Sequence, residues 1–443
     1  MKAFIERTFE EQVKDLQALV AIPSVSRGEP EEGKPYGERV DAAWRKAKEI
    51  AQKLGFEKVF DVDHRCGVIE YGEGEELVAV MAHLDVVPEG KGWTCDPYGG
   101  EIKDGRMYGR GTVDDKGAAV NAMYALAAIK ESGIPMKRRV RILLGMDEEC
   151  GCTGMEHYRE TEGEPTMAFT PDAVYPVVNS EMGILHVSYK NPLACTVQAK
   201  VGSVANVIPG EAEATLPNAA ATCLMPAGLT VELDEKSLTV RGRGGHASMP
   251  ELANNALQGL FYALAQQQIP DAEKALFAML AGTLKQDEHG EGMGLDREDE
   301  SGRITVAPTL FRCGPEGAEI TFDCRYPFTY TYEELQGKFD RIMTALGFAR
   351  TSASNTNGHF ISADTELVKG LMEVYQQVTG DTETKPISMG GGTYAKEFKN
   401  AVAFGTVFPG DIDRCHLPDE SVGLDELKKN TLIMAEAIKK LAC

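Results

Sequence analysis

Val78-Ala79-Val80-Met81-Ala82-His83-Leu84-Asp85-Val86-Val87-Pro88 decides how the chain is read. It opens as a short apolar run, the pattern of a strand buried on both faces. It closes in a histidine and an aspartate two residues apart. Residues i and i+2 of a strand point to the same side. An imidazole and a carboxylate are therefore expected to emerge together at the strand's C-terminal end, where open α/β sheets keep their active sites. Taken alone, the pair also reads as a core histidine beside a loop aspartate.

Downstream the same texture recurs. Gly109-Arg110-Gly111-Thr112-Val113-Asp114-Asp115-Lys116-Gly117 predicts a turn leading into a helix over 118–131. Residues 139–146 predict the next buried strand, which ends in Asp147-Glu148-Glu149. After a helix near 153–160, residues 166–170 predict another strand, ending in Pro171-Asp172. Upstream, Phe9, Val13, Leu16, Leu19 and Val20 fall at helical spacing, and a second helix covers about 39–54. Strands follow near 57–62 and 66–71. Strands alternating with helices make a mainly parallel sheet covered on both faces.

The texture changes after about Gly183. From 185 to 360, short alternating strands and helices mark an inserted α+β domain, with a polar, acidic surface loop over 285–302. From Asp364 the βα pattern resumes: a helix over 366–378, a glycine turn at Gly390-Gly391-Gly392, a strand over 401–407 and a last helix over 424–441. The expected fold class is α/β. A mainly parallel catalytic domain is built from 1–184 and 361–443, with the α+β domain at 185–360 inserted into it.

The 443 residues suffice for two to three domains. A formal net charge of −22 is the wrong sign for a duplex-binding protein, so nucleic acid is not an expected partner. A surplus of carboxylates suits a holder of divalent cations, though solubility explains it equally well. The N-terminal Met1-Lys2-Ala3-Phe4-Ile5-Glu6-Arg7 has no apolar h-region, and no run approaches a membrane span. The ten cysteines include no CxxC pair and read as reduced thiols of a cytoplasmic protein.

Four predicted strand ends thus carry His83/Asp85, Asp114/Asp115, Glu148/Glu149 and Asp172. His416 follows another strand. An isolated acid pair such as Glu148/Glu149 is usually a solvated turn. Two imidazoles and several carboxylates converging on one face form the ligand set for two zinc-like ions.

These residues resemble the dinuclear-zinc peptidase and deacylase family, which includes carboxypeptidase G, aminoacylase, acetylornithine deacetylase, succinyl-diaminopimelate desuccinylase and carnosinase. The motifs that carry the resemblance are His83-Leu84-Asp85-Val86-Val87-Pro88, Gly109-Arg110-Gly111 with Asp114-Asp115-Lys116-Gly117, Asp147-Glu148-Glu149, Pro171-Asp172-Ala173 and His416. They stand in family order over nearly the whole chain. Ser180-Glu181-Met182-Gly183, Asn206-Val207-Ile208-Pro209 and Gly390-Gly391-Gly392-Thr393-Tyr394-Ala395 resemble the PepV-like bacterial dipeptidases within it.

The resemblance implies roles by position. His83, Asp114 and Asp172 would hold one ion, and Asp114, Glu149 and His416 the other, with Asp114 bridging. The ions would be zinc, with manganese or cobalt as alternatives. The Asp114–Asp115 peptide would be cis. Asp85 would orient His83, and Glu148 would be the general base toward a water held between the ions. The inserted domain would be a lid. Its His246, within Gly244-Gly245-His246-Ala247-Ser248-Met249-Pro250, would polarise the scissile carbonyl with help from Asn206. Arg325 would pair with a substrate carboxylate. The amides of Gly391 and Gly392, expected to precede a helix, would take the same carboxylate.

Deacetylases of the family typically place a glutamate where this chain has Asp172, and an aspartate there is typical of members acting on free amino termini. The implied function is hydrolysis of dipeptides with both ends free, and the enlarged lid implies a monomer. Two rivals stand beside it: an N-acyl amino acid deacylase, and a non-catalytic metal- or peptide-binding protein. Glu148 argues against the second, since a binding protein needs no base. His64, His157, His186, His289 and His359 read as structural or surface residues.

Overall fold

The computed structural model describes residues 1–26, 29–219 and 222–443. The chain divides into two compact units. The first comprises Met1–Asn179, Ile361–Ile387 and Gly392–Cys443; the second comprises Ser180–Phe360 and Ser388–Gly391.

The first unit is built on a twisted sheet centred on the strand Leu77–His83. That strand runs parallel to Arg139–Gly145 on one side and Met167–Thr170 on the other, and Ala401–Ala403 pairs parallel with Met167–Thr170. All seven residues of Leu77–His83 are buried, as the apolar run requires. Val78, Val80 and Ala82 pack into a core formed with the helices Lys2–Val20, Lys116–Ser132 and Leu424–Ala442. Ala79 and Met81 face the other way, toward Met155, Tyr158, Tyr394 and Phe398. Both faces are therefore covered, and the strand has no polar side to show.

One edge departs from the parallel pattern. Lys58–Val62 and Cys66–Tyr71 form an antiparallel hairpin beside Arg139–Gly145. Only Asp63, His64 and Arg65 join them, and a connection that short cannot make a parallel crossover.

The second unit has its own core and an eight-stranded sheet in which every neighbouring pair is antiparallel. Gly183–Asn191, in that sheet, alternates buried residues with half-buried or exposed ones, the mark of one covered face. The helices Ala256–Leu264, Asp271–Leu284 and Tyr332–Ala345 supply the cover. The segment expected as a surface loop over 285–302 is partly inside: Met293 and Leu295 sit in this core, and Asp287 accepts the amides of His289 and Gly292. Its polar composition hid those two anchors. Among the described residues no helix is long and apolar enough to cross a membrane.

Candidate metal centre

The parallel strands all point their C-terminal ends to one edge of the sheet, and the acids and imidazoles gather there. His83 is the last residue of its strand. Glu148 and Glu149 open a short 3-10 turn after Arg139–Gly145, and Asp172 follows Met167–Thr170. Asp114 lies in the turn ahead of the helix Lys116–Ser132, and His416 lies in the stretch after Ala401–Ala403.

Asp114 stands between the two imidazoles. Its Oδ1 is 2.9 Å from Nε2 of His83, and its Oδ2 is 2.9 Å from Nε2 of His416. Asp172 Oδ2 lies 3.6 Å from the first nitrogen, and Glu149 Oε2 lies 3.3 Å from the second. The structure thus brings together two sets, His83 with Asp114 and Asp172, and Asp114 with Glu149 and His416. Within each set the donor atoms lie within 4.8 Å of one another. The Asp114–Asp115 peptide is cis.

The backbone fixes these side chains from behind. Asp85 Oδ1 accepts the amide of Glu148 at 3.0 Å, and its Oδ2 accepts the amide of Glu149 at 3.1 Å. The nitrogen of His83 away from the cluster, Nδ1, meets the backbone carbonyl of Asp85 at 2.9 Å, whereas the Asp85 carboxylate is 3.5 Å away. Asp85 therefore divides its work: its carbonyl orients the ring and its carboxylate grips the turn that carries both glutamates. The i, i+2 reading expected imidazole and carboxylate to emerge together; they lie 3.5 Å apart, with the carboxylate also turned toward the neighbouring strand's exit. Asp115 Oδ2 accepts the amide of His83 at 3.1 Å. Glu148 belongs to neither donor set.

The chemistry of the donors fits divalent cations. Nε2 of His83 and Oε1 of Glu149 are buried yet make no well-directed hydrogen bond. Burial, then the charges of Asp114 and Asp115, raises Asp172 well above the usual carboxylate range. Burial also raises Glu148, which the His83 charge opposes and Glu149 and Asp114 reinforce. Burial lowers the proton affinity of His83, yet Asp114 and Asp85 hold it well above the imidazole range. Asp114 and Glu149 push His416 up to about 10. The cluster draws positive charge to the points between the imidazole nitrogens and the acids. Imidazole and carboxylate donors at those points are the borderline set that zinc and its neighbours take.

Tyr394 backs the first imidazole. It is fully buried, and its ring meets that of His83 edge-on, with centroids 6.3 Å apart and planes at 90°. Gly145, the register partner of His83, makes room for it: a Cβ there would sit 1.8 Å from the Tyr394 hydroxyl oxygen. Gly145→Ala is expected to destabilise the fold by about 1–3 kcal/mol through overpacking. Chemical denaturation measures this, and an unchanged midpoint would mean that Tyr394 swings aside freely. No signal in the sequence marks Tyr394 or the buried Glu420 as a site residue; a buried carboxylate has no apolar pattern to announce it.

Of the residues expected to meet substrate, Asn206, His246, Arg325 and Gly391 belong to the second unit and Gly392 to the first. The short pairing of Val207–Ile208 with Gly245–His246 sets Asn206 beside His246, with Asn206 Nδ2 3.5 Å from His246 Nε2. His246 Nδ1 is 2.6 Å from the Ser248 hydroxyl. Arg325 is not an unattached guanidinium. Its Nε and Nη2 donate to the two oxygens of Asp323, each at 2.8 Å, and its Nη1 donates to the carbonyl of Gly390 at 2.8 Å. His186, expected as a structural or surface residue, lies 2.7 Å from Asp323 through Nε2 and completes that anchor. The α-helix expected after Gly391 and Gly392 is absent: a single 3-10 turn, Tyr394–Glu397, stands there. The strand at Ala401 begins too soon for more, so these amides have no helix dipole behind them.

The model of Peptidase family M20/M25/M40 matches residues 79–440. "Putative dipeptidase YtjP" of Bacillus subtilis (strain 168) is 35% identical, the match covering 98% of each chain. The Beta-Ala-Xaa dipeptidase of Lactobacillus delbrueckii subsp. lactis is 30% identical over 97% of this chain and 95% of its own. Human carnosine dipeptidase 1 has a similar fold, with a TM-score of 0.62 at 15% identity, covering 99% of this chain and 98% of that one. By its motifs, its fold and this match along most of its length, the chain belongs to peptidase family M20/M25/M40.

Proposed function

We propose that the chain is a metal-dependent dipeptidase acting on dipeptides with free amino and carboxyl ends. The observation that carries this reading is the pair of imidazole–carboxylate sets sharing Asp114, beside a glutamate that belongs to neither. Relatives at 30–35% identity named as dipeptidases support the substrate class.

In this reading His83, Asp114 and Asp172 hold one ion and Asp114, Glu149 and His416 the other, zinc by preference, with manganese or cobalt able to use the same donors. Such ions, when bound, supply Lewis acidity toward the scissile carbonyl and toward a water. Glu148 takes the proton of the attacking water and returns it to the leaving amine. Asp85 holds Glu148 in place through its backbone amide. His246 and Asn206 stabilise the developing oxyanion, and the second unit serves as the lid that carries them. Arg325 has used three of its five N–H groups on Asp323 and Gly390. The remaining two, with the amides of Gly391 and Gly392, take the substrate carboxylate. The enzyme works as a cytoplasmic monomer.

A substrate panel tests the reading: a dipeptide, its N-acetyl form, its amide and a tripeptide sharing one scissile pair, each with and without chelator. Asp172 and its neighbours favour an ammonium over an acetamide, and losing a charge-assisted contact costs about tenfold or more. The free dipeptide is expected to be cleaved at least about tenfold faster than the others, and chelator should abolish cleavage. Preference for the N-acetyl form would make the chain a deacylase. Equal cleavage of the amide would remove Arg325 from carboxylate recognition.

A further inference from the structure

The turn that carries His416 also carries a fully buried glutamate four residues on. Glu420 does not face the donor sets. Its Oε1 accepts three backbone amides, from Gly111 at 3.0 Å, Val113 at 2.8 Å and Asp114 at 3.2 Å. Its Oε2 accepts Nη1 of the buried Arg110 at 2.7 Å. The amide of Gly109 donates to the Glu420 carbonyl at 2.9 Å. One carboxylate thus fastens the whole 109–114 loop, whose last residue bridges the two sets. Gly111 makes this possible. At φ +92° it turns the chain inward, and a Cβ there would meet the Lys116 side chain at 2.9 Å.

The other end of this link is the His416 turn itself. His416 and Asp419 both adopt left-handed backbone conformations, at φ +63° and +57°, uncommon for residues with a Cβ though His and Asp take them more readily than most. Asp419 is tied to Thr94, accepting its amide at 2.8 Å and its hydroxyl at 3.0 Å. Glu420 then leads into Ser421–Gly423, which pairs with Arg106–Tyr108. No alternative partner competes for the Glu420 oxygens among the contacts described. Losing them would leave three loop amides without this acceptor and Arg110 with only longer bonds, to the carbonyls of Leu417, Pro88 and Glu89.

We propose that Glu420 is a positioning residue for the metal centre: it locks Asp114 and His416 to each other and so fixes the affinity of the Asp114–Glu149–His416 set. The proposal rests on the two-ion reading above. His83 and Asp172 leave the ends of their own strands, so the first set is tied to Glu420 only through Asp114. A general fold staple would instead weaken both sets equally.

The test is calorimetric titration of zinc into chelator-stripped full-length protein, wild type against Glu420→Gln. A glutamine carries one acceptor oxygen and an amide that donates, so it cannot serve both the loop amides and Arg110. Wild type should bind two ions. In the variant both sites should weaken, the Asp114–Glu149–His416 site by about tenfold to a hundredfold, the scale for groups that orient ligands, and the other by less, since of its donors only Asp114 is held by Glu420. Saturating zinc should then restore turnover. If wild type binds no zinc, the two-ion reading fails and the proposal with it. If wild type binds two ions and the variant matches it, or loses affinity equally at both sites, the positioning role is overturned. Glu420→Asp, which keeps the charge but is one methylene shorter, is read the same way if the glutamine variant does not fold.

Discussion

Glu148→Gln is expected to lower turnover by about 10²- to 10⁴-fold, the usual worth of a general base, while metal content and fold stay as in the wild type. The separation follows from geometry. Glu148 belongs to neither donor set, whereas its neighbour Glu149 lies 3.3 Å from His416. The backbone amides of the two are held by different oxygens of Asp85, so the turn survives a change confined to one side chain. Glutamine keeps the size of glutamate but has neither its charge nor a basic oxygen to accept a proton. The variant should therefore bind two ions by elemental analysis and melt near the wild type. Turnover within about tenfold of wild type at saturating metal would remove Glu148 from proton transfer. Loss of metal alongside loss of turnover would make it a ligand instead.

What could be read from the sequence was whatever sits close together in it. The strand Leu77–His83 is legible because seven consecutive buried residues leave a run that needs no partner to be recognised. The glutamates after Arg139–Gly145 and Asp172 after Met167–Thr170 follow from the same rule, since a buried parallel strand ends where its apolar run ends. The hairpin of Lys58–Val62 and Cys66–Tyr71 is legible as two strands, and its antiparallel direction is recoverable from a three-residue link.

The remaining features depend on contacts that no local pattern encodes. Glu420 meets the 109–114 loop across more than three hundred residues of chain, and its burial contradicts what its side chain suggests. Asp85 reaches the amides of Glu148 and Glu149, which belong to the neighbouring strand's exit. The resemblance gives Arg325 a substrate carboxylate as its partner, and the structure places Asp323, two residues before it, on the same guanidinium. Strand alternation does place residues i and i+2 on one face, so that pairing had a signal.

Asp114→Ala is expected to empty both ion sites. This residue alone belongs to both sets, and its two oxygens each lie 2.9 Å from a different imidazole. Its removal leaves His83 with Asp172, and Glu149 with His416, two donors apiece where zinc takes at least three from protein. Groups that only orient a ligand are worth about 10–100-fold in metal affinity, so deleting a shared ligand should exceed that at each site. Turnover should vanish with the ions and should not return at the zinc concentrations that rescue Glu420→Gln. The carboxylate faces the imidazoles rather than the apolar core, so the metal-free variant should melt close to the metal-free wild type. His416→Ala provides the contrast, because it touches one set and should cost one ion. Elemental analysis after dialysis at fixed free zinc reads the result directly: two ions per chain in the wild type, one in the His416 variant and none in the Asp114 variant. Two ions retained without Asp114 would mean that the sets do not share it, and one retained would reassign it to a single set.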